Sequence, residues 1–253
     1  MKLLHYLILG SSLFLSTSSV ADAQQSNIDI CQVIAAFKHQ DKTAIASFVV
    51  YPLQREFPIP AIHNEAEFVK RFDELFDKKL IALIANSEPH KDWAMIGSRG
   101  TMFANGEIWL DSNNRIIAIT YQSSKEKVIK NRLVQAQKET LHPSLRAYQR
   151  PMLEWKTAKY HIRIDDLGND NYRYASWSTD NPTTDKPDLV LENGKKLFEG
   201  SGGNHLYTFA NGNYVYRCYV NQLGPSHAAA GTLDVFKGKD HILSNDVIEV
   251  LSR

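Results

Sequence analysis

What this sequence has little of limits its chemistry. Two cysteines, Cys31 and Cys218, stand in 253 residues, too few for a disulfide framework and too far apart for a CxxC redox or zinc motif. HExxH, an EF-hand calcium loop and the G-x-S-x-G nucleophile elbow do not occur. No stretch approaches the ~18 consecutive apolar residues of a spanning helix. Charge excess is missing as well. Lys and Arg number 29 against 28 Asp and Glu, scattered rather than grouped, so nothing directs the chain to nucleic acid. No metal and no cofactor is expected.

What is present begins with an export signal. Lys2, an apolar run from Leu3 to Leu15 and the small-residue tail Ala21-Asp22-Ala23 read as a secretory signal peptide over residues 1–23, cleaved before Gln24. Cys31 follows Ile28-Asp29-Ile30 rather than a small-residue tetrad, so no lipid anchor is expected. The mature product is then periplasmic or secreted, in a compartment where thiols oxidise. Two readings of the cysteines stay open: a disulfide between Cys31 and Cys218 tying the N-terminal helix to the C-terminal part, or two ordinary thiols.

Pattern and composition predict an α+β chain in three pieces: an α+β domain over 24–122, a helical linker over 123–152, and an all-β sandwich or barrel over 153–253. Ile30, Ile34 and Phe37 have helical spacing, and a second short helix is expected from Asp41 to Phe48. Asn64 and Glu67 form a capping pattern before a stripe running Phe68, Phe72, Leu75, Phe76, Leu80, Leu83 and Ile84, which predicts one long amphipathic helix. Asn105-Gly106 predicts a hairpin in which Phe103 pairs Ile108, Met102 pairs Trp109 and Thr101 pairs Leu110. One face would carry Met95, Arg99, Thr101, Phe103, Ile108 and Leu110, the other Met102, Glu107 and Trp109. A guanidinium on the apolar face needs a carboxylate, a carbonyl or a ligand anion, so Arg99 is a candidate binding residue. Glu107 and Trp109 suggest an interface or a half-buried core pair.

The run RGTMFANGEIWLD, following two helices, YPL and the capped helix, resembles the nuclear-transport-factor-2-like superfamily of cone-shaped α+β domains. The likeness covers roughly residues 28–121 and rests on Gly100, Met102, Asn105, Gly106, Glu107, Ile108 and Trp109. It implies a cone-like curled antiparallel sheet wrapped on the long helix, with a pocket at its open end. Some members are enzymes and many are binding or assembly modules. The Asp/His pair of members resembling scytalone dehydratase has no counterpart here, which puts catalysis in doubt.

From Trp155 onward the chain predicts short strands at Trp155–Asp165, Tyr172–Trp177, Asp188–Leu191, Lys196–Phe198, Leu206–Phe209, Asn213–Gln222, Thr232–Lys237 and His241–Leu251. Gly200-Ser201-Gly202-Gly203 precedes a strand and not a helix, so it reads as a connection and not as a phosphate loop. The acidic turn from Asp165 to Asp170 lacks the bidentate Glu of a calcium loop and reads as a strand connection. Tyr172, Tyr174, Tyr214 and Tyr219 offer either a flat recognition surface or a packed core. The resulting expectation is an exported soluble binding protein without catalytic activity, in a sharper form an immunity or inhibitor protein that caps a toxic enzyme in the periplasm. The alternatives are a small-molecule enzyme using the cone pocket and a carbohydrate- or peptidoglycan-binding module.

Overall fold

Carboxylate and amide caps start most of the helices. A computed structural model describes residues 29–200, 202–222, 224–225 and 227–252; the expected signal peptide lies outside them. Asp29 and Gln32 form a reciprocal capping box at α1 (Ile30–Lys38), and Asp41 caps α2 (Lys42–Ser47). Asn64 caps α3 (Glu65–Leu75) by accepting the Glu67 N–H at 2.9 Å.

The stripe expected as one helix is two. Phe76 is extended, and Asp77 caps a separate α4 (Lys78–Ala85), accepting the Leu80 N–H at 3.0 Å. The other Asp77 oxygen accepts the Tyr121 hydroxyl at 2.6 Å. The break turns Phe76 onto Phe37 and Phe72, with ring centroids 5.0 and 4.8 Å apart. Aspartate is a poor interior helix residue and a strong cap, so a local capping gain replaces one continuous helix.

After the short α5 (Pro89–Asp92) come β1 (Trp93–Met95), β2 (Thr101–Phe103), β3 (Ile108–Leu110) and β4 (Ile116–Ile119), a four-stranded antiparallel sheet in sequential order. The β2–β3 register is the expected one, Phe103 to Ile108 and Thr101 to Leu110. The connection is longer than a two-residue turn: Ala104, Asn105 and Gly106 all have positive φ and Glu107 completes it. Thr101, Phe103, Ile108 and Leu110 are buried as expected. Met95 and Arg99 are not. Met95 is 81% exposed, and Arg99 ends a single 3-10 turn, Gly97–Arg99, closed by the Ile96 N–H donating to the Gly100 carbonyl at 2.8 Å. This turn interrupts the strand and takes Arg99 out of it, while Met95 still pairs opposite Thr101 at the open end of β1. Gly100 permits the turn, with φ +93° and no room for a Cβ, which would sit 2.0 Å from the Leu110 carbonyl oxygen.

Helix α6 (Ser124–Glu139) is held at both ends. Arg55 donates to Glu126 through Nε at 2.7 Å and Nη2 at 2.6 Å, and also to the carbonyls of Ile119 and Tyr121. Both side chains are almost wholly buried, at 2% and 1% exposure. At the other end Val134 packs with Leu141, Leu145, Tyr148, Ala175 and Trp177 against the β domain.

That domain is a closed barrel of eight antiparallel strands: β5 (Arg150–Thr157), β6 (Tyr160–Gly168), β7 (Asn171–Ser178), β8 (Leu189–Phe198), β9 (His205–Asn211), β10 (Tyr214–Val220), β11 (Gly231–Lys237) and β12 (Asp240–Ser252). Each pairs with its successor, and β12 returns to β5. Two strand boundaries differ from expectation. Trp155–Asp165 is a hairpin, turning at Ala158-Lys159 without Gly or Asn because the Thr157 hydroxyl accepts the Tyr160 N–H at 3.0 Å. Conversely, Asn193-Gly194 is no hairpin turn but an irregularity inside β8, with Asn193 at φ 62°. Phe209 lies over Gly194, where a Cβ would be 2.1 Å from its ring.

The barrel core includes Trp155, Ile162, Ile164, Tyr172, Tyr174, Tyr207 and Cys218. The Cys31–Cys218 disulfide is therefore corrected: both thiols are free, Cys218 fully buried in the barrel and Cys31 exposed on α1. Outward-facing residues of β5–β7 form a charge chain beneath α6. His161 lies 2.9 Å from Glu154, Glu154 3.0 Å from Arg163, Arg163 2.8 Å from Asp165, and Asp165 2.7 Å from Arg173. Arg163 also donates to Gln137 of α6 at 3.0 Å and lies 5.1 Å over the Tyr148 ring.

Replacing Glu126 by Gln leaves the buried Arg55 charge uncompensated and is expected to lower unfolding free energy by on the order of 3–5 kcal/mol. Denaturant titration measures it, and an Arg55→Met/Glu126→Leu double variant should recover most of the loss. A second expectation concerns pH. Burial pushes the Glu154 carboxyl up, but the His161 hydrogen bond and the Arg163 charge outweigh it and hold the group below its ordinary value. A depressed folded pKa means stability that is fully present above the unfolded value of about 4.3 and lost as pH falls through the folded one. Acid titration of the Glu154→Gln variant should show a flatter decline below about pH 4.3 than the parent protein shows.

Candidate functional site

In a barrel strand every second residue points inward. Along β6 these are Tyr160, Ile162 and Ile164; along β7, Tyr172, Tyr174 and Ser176; along β10, Tyr214, Tyr216, Cys218 and Val220. All but Ser176 belong to or pack against the barrel core. The strand ends at one mouth, near the Thr157–Tyr160, Asn211–Tyr214 and Lys237–Asp240 turns, therefore bring four tyrosines together: Tyr160, Tyr174, Tyr214 and Tyr216. They line a cavity of about 290 Å³ with Ser176, Asp188 and aliphatic side chains that include Leu233, Val235 and Ile242.

Tyr174 and Tyr216 have ring centroids 5.8 Å apart, tilted by 43°. Burial pushes the Tyr174 phenol far above its ordinary range, and the neighbouring Cys218 adds to this, while a hydrogen bond with Ser176 offsets part of it. Burial also raises Tyr216, helped by Tyr160 and Tyr214. Both phenols are thus neutral hydrogen-bonding groups at ordinary pH. Asp188 stands exposed on the lining, its Oδ2 accepting the Ser178 N–H at 2.9 Å. It is the one ionisable lining residue besides the tyrosines. Just outside, Lys237 Nζ lies 5.5 Å from the Tyr214 ring centroid.

Of the tyrosines expected from sequence, Tyr174 and Tyr214 line this cavity. Tyr172 is inside the barrel, 5.1 Å from Tyr207. Tyr219 belongs to the outward alternation of β10 and is half-buried. Of the two readings left open for these aromatics, Tyr172 and Tyr174 follow the packed core: at 6% and 1% exposure these rings are interior. Tyr160, Tyr216, Ser176 and Asp188 were not singled out. The inward alternation near strand ends was the available signal, and it required the β5–β6 hairpin to be placed correctly.

The N-terminal candidates meet differently from expectation. Arg99 and Trp109 were expected on opposite faces; the 3-10 turn swings the guanidinium to 5.9 Å from the Trp109 ring centroid. Arg99 shares an exposed recess of about 550 Å³ with Met95, Asp111 and Ile117, where Asp111 already pairs with Arg115 at 2.8 Å. Glu107 is half-buried, and its carbonyl accepts the N–H groups of Thr120 and Tyr121 at 2.9 and 3.3 Å, a structural role in the sheet. A broader groove of about 700 Å³ lies between α4 and the sheet, with Leu83, Met102 and Phe103 flanked by Lys79, Lys91 and Asp92. It is larger than the barrel cavity but less enclosed, and its charges sit apart. Enclosure by rings makes the barrel cavity the better binding site.

In the acidic turn, Asp165 and Asp166 face opposite sides of β6, and each is held by arginine, Asp165 by Arg163 and Arg173 and Asp166 by Arg150. Among the described residues no cluster of three or more His, Cys, Asp or Glu could hold a metal ion. Against protein-family models, curated proteins and solved structures, the chain has no match.

Proposed function

We propose that this chain is an exported binding protein that holds one small molecule in the mouth of its β-barrel. The observation that carries the reading is the tyrosine-lined cavity of about 290 Å³ at one end of a closed eight-stranded barrel. A barrel of this strand number has an interior just wide enough to be filled by side chains or to hold one small ligand. Here most of the interior is filled, and one end is not. The volume corresponds to roughly ten waters at ~30 Å³ each, the lower end of the ligand-pocket range. The inward turn of Tyr172 and Tyr174 supports a small ligand over a captured protein as partner, and so over the immunity or inhibitor reading.

In this reading the N-terminal unit is a cone-type domain of the nuclear-transport-factor-2-like kind, serving as a scaffold. Its helices on a four-stranded antiparallel meander fit that description in outline. The signal-peptide pattern of residues 1–23 supports a location in the periplasm or outside the cell.

The neutral fluorescent probe N-phenyl-1-naphthylamine tests the cavity. It should bind saturably at one site per chain. Ile242, half exposed on the cavity lining at 51%, can be enlarged there with little effect on folding. The Ile242→Trp variant should lower probe affinity by about tenfold or more while keeping the parent's thermal midpoint. No saturable binding, or binding indifferent to Trp at 242, would remove the proposal.

A further inference from the structure

The lining of the barrel cavity is one-sided in its electrostatics. Four phenol rings present negative π-faces, Asp188 presents a carboxylate, and no Lys, Arg or His belongs to the lining. Aromatic faces attract cations within about 6 Å, and several rings around one site are the recurrent solution for binding ammonium ions that keep their charge in a partly dry pocket. The rim already shows this attraction, since the Lys237 ammonium stands 5.5 Å from the Tyr214 ring centroid. Resting on the cavity reading above, we infer that the ligand is a small organic ammonium ion. Its charged head lies among Tyr160, Tyr174, Tyr214 and Tyr216, with Asp188 as its counter-ion.

Each part of the lining has its role in this assignment. The rings replace part of the water that a substituted ammonium loses on entry, and Tyr174 and Tyr216 already stand in contact, with centroids 5.8 Å apart, which lowers the entropic cost. Tyr174 and Ser176 lie inside the barrel, whereas Asp188 is exposed, so charge recognition is divided between buried π-faces and a solvated carboxylate. An anionic ligand would meet the same carboxylate without a compensating cation on the lining. A neutral apolar ligand would gain from Leu233, Val235 and Ile242 but would leave Asp188 without influence. Lys237 competes with the ligand for the Tyr214 face and opposes its charge.

The deciding experiment displaces N-phenyl-1-naphthylamine from the full-length mature protein with choline and, separately, with 3,3-dimethylbutan-1-ol, its uncharged carbon isostere. Choline should displace the probe at a concentration roughly tenfold or more below that of the alcohol. Asp188→Asn should weaken choline by about threefold to tenfold and leave the alcohol unchanged. Lys237→Ala should strengthen choline alone, a response that a merely apolar pocket would not give. Tyr216→Leu should weaken choline more than the alcohol, with circular dichroism confirming the fold. If both compounds displace the probe equally, or if the alcohol is stronger, the ammonium assignment is overturned while the cavity still stands as a site. If the probe itself fails to bind, both readings fall.

Discussion

The pairing of β12 with β5 is the contact on which the β domain depends. It joins Val247 to Thr157 and Val250 to Trp155, and it turns a meander with two exposed edges into a barrel with none. Every other ladder in the barrel links strands adjacent in sequence, so this is the one pairing that closes a long loop and the last that local forces can supply. Trp155 helps to fix it. Its ring is wholly buried and reaches Gly231, where a Cβ would lie 2.5 Å from the indole and 2.3 Å from the Tyr219 carbonyl oxygen. The indole N–H has no hydrogen-bond partner among the described residues, a cost of roughly 1–3 kcal/mol that the burial of so large a ring offsets.

Closure alone would leave β5–β7 with a charged outer face in water. Instead, α6 and the Leu141–Tyr148 segment cover His161, Arg163, Asp165 and Arg173, each at 5% exposure or less. Buried charges at this density are stable only when each is answered, and the chain from His161 to Arg173 answers them in sequence. Arg173 ends it on the carbonyls of Leu145 and Ala147, at 2.5 and 3.2 Å. The network specifies where α6 lies on the barrel, and Arg55–Glu126 specifies where the N-terminal helices lie on α6. Orientation in this chain is therefore set by an ion pair, Arg55–Glu126, at one end of α6 and by the Arg163–Gln137 hydrogen bond at the other, while apolar contacts around Val134 and the hydrogen bonds of Ser123 and Asp77 hold the parts together.

Local chemistry in the sequence was readable where one signal acted alone. The Asn105-Gly106 hairpin register, the existence of α1, the extent of α2 and a C-terminal all-β part of about eight strands all follow from spacing and turn residues. Two errors in that count cancelled, because a hairpin at Ala158-Lys159 carries no Gly or Asn and an Asn-Gly pair at 193–194 makes no turn. One case is local and one tertiary: the Thr157 hydroxyl replaces a special turn residue within its own hairpin, and Phe209 packs over Gly194 from the neighbouring strand. The site was less legible for a related reason. Inward or outward placement depends on a phase that one misplaced turn inverts, so Tyr172 and Tyr174 could be read as surface when they are core. Arg99 fails for a different reason: the phase from β1 to β2 is kept, with Met95 opposite Thr101, but Arg99 itself lies in the 3-10 turn between the two strands and belongs to neither face.

The filling of the barrel also bears on the proposal of a ligand at the tyrosine mouth. Toward the other end, Tyr172 and Tyr207 meet edge to face, and the Arg150–Asp166 pair and Lys196 lie close by. The Lys196 ammonium is pushed below its ordinary value by burial and by Arg150, while Asp166 pulls it partly back. That end therefore already holds three charges of its own, two of them cations, and penalises one of these, so a further cation brought there would meet repulsion. The tyrosine mouth differs in having rings in excess of cations. A polarised barrel, with Arg150 and Lys196 toward one end and tyrosine rings that outnumber the single Lys237 at the other, would admit a positively charged molecule at one mouth and hold it there.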